Sequence, residues 1–232
     1  ITYLPAQGNI SGMAAAGPEA SVYNKIEIPP GGQYCVVLPD STRVWLNAGS
    51  SLRFPVRFAS NQRRVELSGE GYFEVAANKE APFHVSCLHQ EVEVLGTHFN
   101  IHAYSDEAHT VTTLLTGSIR VNGGGSSILL RPDQQADLYD RLRVQQVDAE
   151  DAVAWKNGYF RFDDERLETI MKSIGRWYNV GIDYENEQLK DEPYGILSAR
   201  FANLSALLKL MEQTGSAHFS LEGSIIHIKK KN

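Results

Sequence analysis

The chain has 232 residues, 42% hydrophobic and 22% charged, enough to bury a real core without metal or disulfide staples and unlike a disordered segment. Its formal charge is −6; residues 1–155 hold 11 Lys+Arg against 17 Asp+Glu and the remainder 11 of each, so neither part offers the basic stripe that nucleic acid requires. No apolar run reaches the roughly 18 residues of a transmembrane helix.

Residues 1–22 read as a linker, because Gly8, Gly12, Gly17, Pro18 and Ala14–Ala16 give little to pack and show no period. The segment begins on Ile1 and lacks a basic stretch followed by an apolar one. It is therefore not an intact signal peptide, and the chain reads as a piece of something longer.

Residues 23–148 read as an all-β domain of short strands, either solenoid-like or a sandwich. Arg43-Val44-Trp45-Leu46, Arg64-Val65-Glu66-Leu67 and Glu91-Val92-Glu93-Val94 alternate, and turn signals such as Pro30-Gly31-Gly32, Pro39-Asp40-Ser41 and Asn122-Gly123-Gly124-Gly125 separate them. Gly71, Gly96 and Gly117 each precede apolar residues at alternate positions, which predicts a tight glycine corner at three strand starts. Cys35 and Cys87 show neither CxxC nor zinc-type spacing and are expected as small buried residues, with a disulfide between them as the alternative in an oxidising compartment.

Residues 149–157 form a connecting segment in which an acidic first turn before Trp155 suits a short helix. Residues 158–232 then read as a small α+β domain. Leu167, Ile170, Met171, Ile174 and Tyr178 mark one helical face behind a candidate cap, Asp163, and Val180, Ile182 and Tyr184 alternate as a strand. The pattern recurs 37 residues later: Leu204, Leu207, Leu208 and Met211 follow the candidate cap Asn203, and Ala217, Phe219 and Leu221 form the strand. Phe160 and Phe162 precede the first helix on a strand, as Ile196, Ser198 and Arg200 precede the second. Two strand–helix–strand repeats with both helices on one face of a sheet are expected, since one helix alone cannot bury its stripe.

No catalytic constellation is present. A phosphate-binding loop, HExxH, G-x-S-x-G and a three-glycine dinucleotide fingerprint are all absent. His98 and His102 stand four apart on a strand, about 13 Å, too far for one ion to bridge. Glu91 and Glu93 face away from Val92 and Val94, toward water. Neither a metal nor a cofactor is expected, and the chain reads as a binding protein and not an enzyme. Trp177, about 80° off the Leu167 stripe, and Tyr194, behind the loop Lys190–Pro193, are the candidate partner-binding anchors; Trp177 also suits packing against the β domain near Trp155.

Several stretches carry a family resemblance. Gly31-Gly32-Gln33-Tyr34, LPDSTRVWLNAGSSLRFP (38–55), RRVELSGEGYFEVA (63–76), PFHV (82–85), VEVLGTHFNIHAY (92–104) and LLTGSIRV (114–121) resemble the extracytoplasmic part of FecR-type anti-sigma factors. AWKNGYFRFDDERLETIMKSIGRWYNV (154–180) resembles the C-terminal domain of one branch of that family, similar to the short N-terminal domain of secretins and TonB-dependent transducers. The resemblance implies the periplasmic domain of a single-pass inner-membrane protein. It would contact the signalling domain of an outer-membrane TonB-dependent transducer and relay the signal to an extracytoplasmic-function sigma factor through a cytoplasmic segment absent from this chain. An edge strand is the expected docking element. The alternatives are a periplasmic glycan- or ligand-binding β module and a self-associating scaffold domain.

Overall fold

The computed structural model describes residues 2–3 and 22–231. Two compact units emerge, one of residues 22–29 and 33–149 together with the strand at 2–3, the other of 30–32 and 150–231. The linker expectation for 1–22 lies almost wholly outside the described residues. At its start, β1 (Thr2–Tyr3) pairs with β2 (Tyr23–Glu27).

The first unit is entirely β: after β2 come β3 (Tyr34–Val37), β4 (Arg43–Leu46), β5 (Ser51–Pro55), β6 (Arg63–Glu74), β7 (Phe83–Cys87), β8 (Gln90–Val94) and β9 (His98–Ala103). β10 (Thr110–Thr116), β11 (Ile119–Gly123), β12 (Ser126–Leu130), β13 (Gln134–Leu138) and β14 (Leu142–Gln146) complete it. They form two sheets that share β6. One runs β1-β2-β5-β6-β7-β8-β11-β12 and the other β3-β4-β6-β9-β10-β13-β14. The first half of β6 pairs with β5 and, in parallel, β7; its second half pairs with β4 and β9. β12 also lies against β13 and β14, which brings the two sheets near to closing as a barrel. The unit is thus β throughout, as expected, its strands linked through β6 into one large, nearly barrel-like sheet.

The corner where β6 changes sheets is Gly69. Its φ is +88°, and a Cβ there would lie 2.5 Å from Ser50 Oγ and 2.8 Å from Ser50 Cα. Only glycine fits. Of the three glycines expected at strand starts, Gly117 does stand before β11, at φ +94°. Gly71 instead lies inside β6, since the strand runs on through the bend. Phe73 and Phe99 stack at 5.0 Å between centroids, with Phe83 edge-on to Phe73 at 6.4 Å. Burying each such ring contributes about 1.5–3 kcal/mol. Cys87 is buried and Cys35 half-buried, both as free thiols; burial alone pushes the Cys87 thiol up to about 12.

A one-turn 3-10 helix, Asp151–Val153, opens the second unit. It continues through β15 (Tyr159–Arg166), α1 (Leu167–Tyr178), β16 (Gly181–Tyr184), β17 (Pro193–Ala199), α2 (Leu204–Thr214), β18 (Ala217–Glu222) and β19 (Ile225–Lys230). Both helical stripes are buried as their spacing dictates, through Leu167, Ile170, Met171 and Ile174 on α1 and Leu207, Leu208 and Met211 on α2. Asn203 caps α2 by accepting the Ser205 N–H at 2.8 Å. The cap expected at Asp163 is not formed. β15 runs on to Arg166 through a register shift between Phe162 and Glu165, with Asp164 at φ +51°, so α1 starts at Leu167 without a side-chain cap. Strand pairing there outcompetes an early helix start, because Glu165 finds a partner in Tyr194.

The single sheet expected beneath the helices is in fact two. β15 pairs antiparallel with β17, while β16-β19-β18 form a separate sheet with β19 between the two equivalent strands. Each helix contacts both sheets, α1 through β15 and β16 and α2 through β17 and β18. β19 has no counterpart in the repeat and takes the place where β16 and β18 would meet.

Candidate interaction surface

Beyond the Gly69 corner, the chain assembles a buried polar cluster around Glu70. Its backbone N–H donates to Ser50 Oγ at 2.8 Å; its carboxylate accepts from Asn47 Nδ2 at 2.7 Å and Asn100 Nδ2 at 3.0 Å and sits 3.4 Å from His102 Nδ1. His102 Nε2 lies 2.9 Å from Glu107 Oε2, and Tyr104 donates its hydroxyl to Ala48 O at 2.8 Å. Burial pushes the Glu70 carboxyl up, but the His102 charge and the hydrogen bonds from His102, Asn47 and Asn100 outweigh it and hold the group below its usual range. Burial acts downward on His102, and the two carboxylates outweigh it, so the imidazole is held up to about 10. This is a charged clamp joining the β6 corner to β9 and two turns. No His, Cys, Asp and Glu grouping suited to a metal occurs among the described residues.

A second buried cation, Arg63, opens β6. Its Nη1 reaches Asp40 Oδ2 and Ala76 O, each at 2.7 Å, and its Nε donates to Ala81 O at 2.9 Å. Thr42 donates its hydroxyl to the same Asp40 oxygen at 2.7 Å. The outer face carries Arg64, His84 and Glu91 in mutual contact, with Glu91 held low against burial by hydrogen bonds from Arg64 and His84. Glu91 and Glu93 thus stand on the polar side of β8, opposite buried Val92 and Val94. His98 is exposed, whereas His102 belongs to the clamp.

In the second unit the two candidate anchors have separate settings. Trp177 is half-buried at the end of α1. Its Nε1 donates to Arg200 O at 2.6 Å, and the buried Arg200 guanidinium lies 4.0 Å from its ring centroid and 5.2 Å from that of Phe160. Arg200 Nη1 donates to Trp155 O at 3.2 Å, and Phe201 meets Trp177 edge-on at 5.4 Å. Tyr194 is buried at 4% exposure, its hydroxyl accepting the Ala217 N–H at 2.8 Å; burial pushes its phenol up. The structure therefore joins Trp177 to Trp155 within one unit and does not bring Tyr194 to the same place.

A further feature of this unit is the outward row of β17. Pro193, Gly195, Leu197, Ala199 and, just beyond the strand, Phe201 all face solvent, with Leu197 69% and Phe201 79% exposed. Tyr159, opposite Ala199 on β15, is also exposed. An antiparallel sheet with one wet face ordinarily alternates polar residues outward, so an apolar row there marks a contact surface. The signal was available as five apolar residues at every second position from 193 to 201.

No described helix is long and apolar enough to cross a membrane. No curated protein sequence matches the chain. Two family models do: "FecR protein" over residues 24–120 and "FecR, C-terminal" over 159–228. Among solved structures, a candidate anti-sigma factor from Parabacteroides distasonis ATCC 8503 at 1.65 Å superposes with a TM-score of 0.85 and 28% identity, over 90% of this chain and 99% of that one. A second crystal structure so described, from the same organism at 2.50 Å, gives 0.86 and 28% over 91% and 100%. The matches take in most of the strands of the first unit and nearly all of the second, and the chain belongs to the FecR family of anti-sigma factors.

Proposed function

We propose that this chain is the periplasmic portion of a membrane-anchored anti-sigma factor, which relays the state of an outer-membrane TonB-dependent transducer to a cytoplasmic sigma factor by protein–protein binding and catalyses no reaction. The observation that carries this reading is the joint match of both units to the two parts of the FecR family, with likeness to a candidate anti-sigma factor extending over 90% of the chain. The local chemistry supports it. The most buried charges are tied up in clamps, and the exposed special features are apolar rows and unpaired strand edges, which suit recognition of another protein.

The transducer's signalling domain is then the partner in the periplasm, and the sigma factor is met through a segment outside this chain. The test is binding of a cognate signalling domain to the 232-residue chain and to a form lacking 156–232. A large loss of affinity on deletion, with the first unit still folded by circular dichroism, places the contact on the α+β unit. Unchanged affinity moves it to the β unit, and no binding to either form sinks the transducer reading.

A further inference from the structure

β17 has a free edge as well as an apolar outer row. Its sole strand neighbour among the described residues is β15. The Arg200 N–H donates to Gly158 O at 2.8 Å, which fixes the alternation: even-numbered residues direct their backbone groups toward β15, and Gly195, Leu197 and Ala199 direct theirs outward. The same odd-numbered residues carry the exposed apolar side chains. The Ala199 carbonyl already accepts the Ala202 N–H at 3.1 Å, so a strand added at this edge would pair with the backbone groups of Gly195 and Leu197 and with the Ala199 N–H, and would lie alongside the row.

We propose that the added strand is β17 of a second copy of this chain, antiparallel about Leu197. The row is self-complementary. Turning it end for end sets Leu197 against Leu197, small Gly195 against small Ala199, and Pro193 beside Phe201. No charge opposes a like charge, because the row has none and the flanking Glu192 and Asp191 would face Ala202 and Asn203. That is what a two-fold interface demands of one patch. With the Ala199 carbonyls held by Ala202, the outward groups of the two strands would make about four hydrogen bonds, producing a four-stranded sheet in the order β15-β17-β17-β15. A seven-residue strand with two large exposed side chains reaches only the small end of protein interfaces, under ~1,200 Å² in total, so the association is weak and reversible. The proposal does not depend on the transducer reading.

Sedimentation equilibrium of the whole chain from about 10 to 300 µM, the range for an interface this small, tests it. The expected mass climbs from 25.8 kDa toward twice that value. Leu197→Asp and Leu197→Lys, both at a side chain too exposed to hold the core, should each stay monomeric with an unchanged circular dichroism spectrum. An equimolar mixture of the two should regain the dimer, since position 197 meets position 197 across the axis. A wild-type chain that remains at 25.8 kDa overturns the proposal and leaves the row to a strand of another protein. A dimer that both variants retain, or two monomeric variants that fail to rescue one another, overturns it as well.

Discussion

The two units solve the problem of a unique fold in different ways. In the β unit, strands far apart in sequence must find one register, and two buried ionic clamps sit where the chain changes direction: Glu70–His102 beyond the β6 corner and Arg63–Asp40 at the β6 start. In the α+β unit, two apolar helical stripes define the core, and Arg200, buried among the described residues, has its guanidinium against aromatic faces and a hydrogen bond to a backbone carbonyl. Slipping a strand by one residue exposes its whole apolar face, so a sheet-rich unit gains specificity from a charge that is satisfied in one register only. A helix packed by its stripe already has that specificity from its own period.

The sharpest way to break this comparison is to remove one half of a clamp. Glu70→Ala leaves His102 without its main counter-charge, and a loss of about 3–5 kcal/mol is expected in urea unfolding. A change below 1 kcal/mol would show that the clamp is incidental. The same clamp has a pH signature. His102, raised from 6.5 to about 10, contributes stability that is complete below pH 6.5 and lost as pH rises toward 10. Glu70, lowered from 4.5, contributes stability present above pH 4.5 and lost as pH falls through its folded value. The denaturation midpoint of the β unit should therefore fall steadily between pH 6.5 and 10, and His102→Gln should flatten that slope.

Truncating the other unit's stripe comes next. Met171→Ala empties part of a fully buried site on α1 and should cost about 2–5 kcal/mol. Hydrogen exchange should show lost protection in 159–230 and preserved protection at β6 and β9, the reverse of the Glu70→Ala pattern. Equal loss in both units would erase the distinction drawn between them. The smallest effect separates the two repeats. Asn203→Ala removes the side-chain cap of α2 and should cost about 1 kcal/mol. Asp163→Ala, at the residue that resembles a cap but lies in β15, should change helix stability by a few tenths at most.

Much of the second unit was legible because its information is local. The stripe Leu167–Ile174, its echo 37 residues on, and the Asn203 cap all lie within a few turns of chain. Asp163 misled because a cap-type residue before a stripe says nothing of whether the preceding strand has a partner, and Tyr194 supplied one. Trp177 was readable as a residue at the stripe margin, but that it lies over Arg200 follows only from the folded chain. The row from Pro193 to Phe201 was written in the sequence at strand period and became meaningful once the opposite face proved to be the buried one.

The sequence by itself determined the class of each unit, since alternation of period two and stripes of period 3.6 are properties of neighbouring residues. Tertiary structure alone decided which strands pair, that β6 serves two sheets, that β19 separates β16 from β18, and that Glu70 meets His102. Those outcomes depend on contacts between residues tens of positions apart, whose energy is collected only after the loops between them close.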